Sequence, residues 1–93
     1  MEDRPEMLSE GAFIEKAKGL IQENFYRDYM FGEDPLPLSD IYVVWFAKTL
    51  QNWKAIVSTN VKDDMIYEVT YNGDKKETYL DAYSKHNNTV IPD

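Results

Sequence analysis

Ile41-Tyr42-Val43-Val44-Trp45-Phe46-Ala47-Lys48 is the stretch on which the fold of this chain turns. β-Branched and aromatic residues fit a pleated, half-buried surface, and the run holds neither Gly nor Pro to break it. Both parities are apolar, the pattern of a central strand covered on two faces. Working outward, Thr49-Leu50-Gln51-Asn52 reads as a turn. Trp53 to Thr59 alternates, with Trp53, Ala55 and Val57 on one parity and Lys54, Ile56 and Ser58 on the other. After a second turn at Asn60–Asp64, Met65, Tyr67, Val69 and Tyr71 alternate with Ile66, Glu68 and Thr70, a third strand that ends at the turn signal Asn72-Gly73.

The last element has two readings. Thr78 to Tyr83 alternates like a fourth strand of a meander. The same residues also suit a helix over 77–86: Asp74 and Glu77 have capping-box spacing, and Tyr79, Ala82, Tyr83 and His86 would share one helical face. Alternation directly after Asn-Gly favours the strand. A helix would give the order α-β-β-β-α found in double-stranded-RNA-binding domains.

Upstream, Ser9 is a suitable N-cap for a helix running to about Tyr29, with Phe13, Ala17, Leu20, Ile21 and Phe25 as its apolar stripe. Residues 1–8 read as a flexible polar leader. Residues 31–40 read as a connector in which Pro35 and Pro37 block regular structure while Leu36 and Leu38 pin the loop to the core. The expected fold is α+β: an N-terminal helix packed on a three- to four-stranded antiparallel β-meander, one domain over 1–93.

Composition sets further bounds. The 93 residues are 43% hydrophobic and 14% aromatic, a globular balance. A domain of this size buries a modest share of its surface, so formation of a homodimer stays open. There is no Cys, which removes disulfides, thiolate metal sites and cysteine nucleophiles. The longest apolar run is too short to cross a bilayer, and the charged start Met1-Glu2-Asp3-Arg4 is unlike a signal peptide, so no membrane role and a cytoplasmic location are expected. The formal charge is −7, with ten acidic and four basic residues in the first 40 positions. That balance disfavours duplex nucleic acid, whose binding depends on neutralising phosphates.

Chemical motifs are sparse. His86 is the only His and sits in a polar tail, so neither a metal nor a cofactor is expected. Asp63-Asp64 falls in a turn, where Asp is favoured for backbone reasons. Glu68 and Asp81 would come close in a hairpin, but paired carboxylates divide acid and base work only where their environments differ. No nucleophile elbow surrounds any Ser, and the four Gly, at 11, 19, 32 and 73, form no phosphate-binding loop. Catalytic residues are therefore not expected. The seven Tyr and two Trp are the notable endowment. Tyr42, Trp45, Trp53, Tyr67, Tyr79 and Tyr83 are the candidate interface, some of them necessarily core. Aromatics on an open sheet face can also stack bases, so single-stranded nucleic-acid binding is the alternative.

The segments Tyr42–Asn52, Tyr67–Lys75 and Tyr79–Tyr83, taken together, resemble a family of small proteins of unknown function from bacteriophages and prophages of Gram-positive bacteria. The resemblance spans residues 10–91 and is strongest over 42–85. It implies an accessory phage protein acting in the host cytoplasm on a host or phage protein. It brings no reaction, cofactor or catalytic residue.

Overall fold

The computed structural model describes residues 9–29 and 34–93. The leader 1–8 and the first part of the connector expected over 31–40 lie outside them. Among the described residues one α-helix, α1 (Glu10–Phe25), and a single 3-10 turn (Leu38–Asp40) at the end of the connector precede four strands, β1 (Ile41–Thr49), β2 (Asn52–Thr59), β3 (Met65–Asn72) and β4 (Glu77–Ser84). The strands form a single antiparallel sheet in the order β1-β2-β3-β4. The α+β fold expected from the sequence is the one observed.

Ser9 caps α1 by accepting from the Ala12 backbone N–H at 3.0 Å, which satisfies one of the free donors at the helix start. Phe13, Ala17 and Ile21, spaced by four, are fully buried against the sheet. Beneath them lies the inner face: Ile41 on β1, Ala55 and Val57 on β2, Tyr67 and Val69 on β3, with Leu36 from the connector. Phe13 sits 5.5 Å from the ring of Trp53 and 6.3 Å from that of Phe46.

The helix ends at Phe25, four residues short of the expected Tyr29. Tyr26 leaves helical geometry because its side chain turns into the core. There its hydroxyl donates to the Asp63 carboxylate and lies 2.9 Å from the Tyr67 hydroxyl. Its carbonyl accepts from Leu36 N–H at 3.0 Å instead of continuing the helix. Phe25, expected in the apolar stripe, is consequently exposed, with its ring 4.7 Å from that of Tyr67.

The doubly apolar run in β1 has a different cause from the one expected. β1 is an edge strand, not a central one. Val43 faces Val57 but Trp45 faces Ile56, so a β-bulge inserts Val44 into the strand. The extra residue switches parity. Val43 and Phe46 therefore both point at α1, while Tyr42 and Trp45 both point away from it. The final element is a strand throughout: all eight residues of β4 pair with β3, from Asn72↔Glu77 to Met65↔Ser84. The helical alternative, and with it the α-β-β-β-α order, is not adopted.

Gly73 serves close approach. The β3–β4 loop spans 73–76, and it is Lys76 that takes the positive φ, at 56°. A Cβ on Gly73 would lie 2.2 Å from the Gln51 carbonyl oxygen of the β1–β2 turn. The two turns are packed together, with Gln51 Nε2 donating to Asp74 and Gly73 N–H donating to Asn52. In the β1–β2 turn, Leu50 holds φ at 57° with its side chain in solvent, a conformation that costs a non-glycine residue about 1–2 kcal/mol. Chemical denaturation should thus give opposite signs at the two positions. Gly73→Ala is expected to lower stability by about 1–3 kcal/mol through overpacking, and Leu50→Gly to raise it by up to about 1 kcal/mol.

The Tyr26–Asp63–Tyr67 cluster ties three segments together. Burial first, and then the hydrogen bond to Asp63, push the Tyr26 phenol well above its ordinary value; burial also raises Tyr67. The folded chain therefore holds these protons more tightly than the unfolded one. Their stabilising contribution is complete below the ordinary phenol value of about 10 and is lost as pH rises beyond it. Tyr26→Phe is expected to cost about 1–2 kcal/mol at neutral pH, since it removes a charge-assisted hydrogen bond to Asp63 and leaves the buried Tyr67 hydroxyl without its partner. It should also flatten the fall in stability above pH 10 that the parent protein shows in urea titrations.

Candidate functional site

Antiparallel register sorts the strand residues onto two faces. With α1 on one, the other is uncovered by any described residue. Across this outer face the register places Trp45 beside Ile56, Ile56 beside Glu68 and Glu68 beside Asp81. On one flank Ile66 pairs with Tyr83, and on the other Thr70 pairs with Tyr79. Tyr42, opposite Ser58, completes the β1 side. The result is a shallow trough. Tyr42 and Trp45 form the wall along β1, Tyr79 and Tyr83 form the wall along β4, and Ile56 and Ile66 lie in the floor between.

Four of the six residues singled out from the sequence are thus brought together. Tyr42 is 44% exposed, Trp45 49%, Tyr79 41% and Tyr83 51%. The other two are corrections. Trp53 and Tyr67 are buried, at 5% and 2%, on the inner face beneath α1. Their parity is shared with Ala55, Val57 and Val69, which is why they belong to the core. Val44 and Ile66 were not singled out. Val44 is exposed by the bulge and Ile66 by its pairing with Tyr83.

The polar groups of the face are linked. Glu68 meets Lys54 at 3.3 Å through Oε2 and accepts from the Tyr83 hydroxyl at 3.2 Å through Oε1. The Tyr79 hydroxyl donates to Glu77 at 2.5 Å. These carboxylates raise both phenols, Tyr83 chiefly through the charge of Glu68 and Tyr79 chiefly through its hydrogen bond to Glu77. On the face itself stand three carboxylates, Glu68, Glu77 and Asp81, against one cation, Lys54, which is already paired.

Glu68 and Asp81 do come side by side as the hairpin expectation had it. They stand on an open surface, and both oxygens of Glu68 are engaged. No group of three or more His, Asp or Glu among the described residues is placed to hold a metal ion. Asp63 acts in the turn as expected, accepting from Met65 N–H at 3.1 Å. Two hollows adjoin the outer face. One is lined by Trp45, Ala47, Thr49, Lys54 and Thr70, the other by Ser58, Met65, Ile66, Ser84 and the ion pair of Lys85 with Asp64 at 3.6 Å. Among the described residues no helix is long and apolar enough to cross a membrane.

A protein-family model described as a family of unknown function, DUF6275, matches residues 14–93, and the chain belongs to that family. No curated protein and no solved structure matches it.

Alanine substitution separates the two sets of aromatics. Tyr42→Ala and Trp45→Ala should each shift the unfolding midpoint by less than about 1 kcal/mol equivalent, whereas Trp53→Ala should cost about 3–5 kcal/mol. Equal losses at Trp45 and Trp53 would place both in the core.

Proposed function

We propose that this member of the DUF6275 family is a non-enzymatic protein-binding module whose contact surface is the outer face of the sheet. The observation that carries the reading is the gathering of Tyr42, Trp45, Tyr79 and Tyr83, all exposed, on one face that α1 leaves open. Tyr and Trp supply large contact area at low entropic cost and dominate binding energy at interfaces. A small domain that spends four aromatics on solvent forgoes burial it has reason to want, and a partner surface restores it. That the module is a phage-type accessory protein working in the bacterial cytoplasm rests on the resemblance of its strand segments alone.

Single-stranded nucleic acid is the second reading, favoured by the same open rings. The charge of the face weighs against it. Glu68, Glu77 and Asp81 repel a phosphate chain, and Lys54 is already paired with Glu68. A hydrolytic role for Glu68 and Asp81 has less support still, because both stand on an open surface and Glu68 is already held by Lys54 and Tyr83.

The test is affinity capture from a Gram-positive bacterial lysate, with and without nuclease, using the tagged protein and a Trp45→Ala/Tyr83→Ala variant. One protein retained by the parent in both lysates and lost by the variant is the expected result. Equal retention by the variant would remove the face from the account. Retention that disappears with nuclease would put nucleic acid in its place.

A further inference from the structure

Resting on the protein-binding reading, we infer that the outer face receives an amphipathic α-helix of the partner, laid along the strands and carrying basic residues on the flank that meets β4. The dimensions come first. The walls on β1 and β4 are three strand spacings apart, about 14 Å, and a helix with its side chains is about 10–12 Å across. Eight-residue strands run for about 26 Å, the length of a helix of about 17 residues. The same sheet already carries a helix of sixteen residues, α1, on its other face.

Backbone accounting gives the second argument. In the middle of the face the strand N–H and C=O groups are committed to the ladders on either side. A partner segment laid there receives no backbone hydrogen bonds from the sheet and must satisfy its own, which a helix does internally. An extended segment would pair instead at the free edge of β1 or β4.

Charge fixes the helix's chemistry and its orientation. The β1 wall is apolar, built from Tyr42, Trp45 and the bulged Val44. The β4 wall pairs aromatic rings with carboxylates, Tyr79 with Glu77 and Tyr83 with Glu68, and Asp81 stands between the two rings. A Lys or Arg side chain reaching this wall meets a ring face and a carboxylate together, an arrangement that attracts cations. Lys75 and Lys76 lie beyond the end of the face, in the β3–β4 loop. An acidic helix, or the same face of a second copy, would set like charges against Glu77 and Asp81 in a chain whose net charge is already −7.

Fluorescence anisotropy tests this with a labelled eighteen-residue peptide bearing a Leu stripe and Lys on one flank. Its counterparts are the same peptide with Glu in place of Lys, a scrambled Lys peptide without the stripe, and a fifteen-nucleotide oligo(dT). The expected result is at least tenfold tighter binding of the Lys helix than of each of the others. Trp45→Ala should weaken it tenfold or more, and Glu77→Lys/Asp81→Lys should transfer the preference to the Glu peptide. Far-UV circular dichroism of each variant establishes that it is folded. Equal binding of Lys and Glu peptides, a preference unmoved by charge reversal, tighter binding of oligo(dT), absence of peptide binding, or a dimer in size-exclusion chromatography that Trp45→Arg dissociates would each overturn the inference. If the peptides fail while lysate capture still depends on Trp45, the protein-binding reading stands and the helix falls. If capture is also indifferent to Trp45, both fall.

Discussion

The sixteen-residue helix lies on one face of the four-stranded sheet, chiefly over β1 and β2, and leaves the other face open. In this protein the seal between the two layers depends on Phe13, Ala17 and Ile21 meeting Ala55, Val57, Tyr67 and Val69, all of them buried. The apolar residues that matter for folding must therefore converge on one side, and whatever lies on the other is left to solvent. Tyr26 ends the helix, trading a helical turn for hydrogen bonding to Asp63 and Tyr67. That cluster sets where the connector starts, since the Tyr26 carbonyl receives Leu36.

The bulge at Val44 reconciles this one-sided core with an edge strand rich in apolar side chains. Without it, a regular alternation would send Val43 and Trp45 to the same face. With it, Val43 and Phe46 serve the core and Tyr42 and Trp45 line the outer trough. A local irregularity of one residue thus decides which aromatics hold the domain together and which face outward. Bulges are frequent at sheet edges, where they redirect side chains in this way. The outer face is then assembled by register alone. Trp45, Ile56, Glu68 and Asp81 lie far apart in the chain and become one row across four strands.

Much of this was legible in the residues. Strict alternation in Trp53–Thr59 and Met65–Tyr71 gives two strands and their buried parity. That parity, followed through Ala55 and Val69, would also have assigned Trp53 and Tyr67 to the core. Asp81 between Tyr79 and Tyr83 marks the parity of all three as solvent-facing. The first strand was the hard case, because a bulge leaves no mark in composition: Val43-Val44-Trp45-Phe46 reads equally as a strand buried on both faces. The early end of α1 was hidden for a related reason. Tyr26 has an acceptable helical propensity, and its exit is a tertiary effect of partners 37 and 41 positions away. The role of Gly73 was likewise invisible, since the obstacle to a side chain there comes from Gln51 in another turn.

The central claim is that the sheet packs its core under α1 on one face and is open on the other, and the two Trp residues report on it from opposite sides. Acrylamide quenching of single-Trp variants, Trp53→Phe to leave Trp45 and Trp45→Phe to leave Trp53, measures both directly. The account predicts strong quenching and red-shifted emission for Trp45, with Trp53 protected and blue-shifted. Equal protection of the two would contradict it, by showing that the outer face is covered in the free protein.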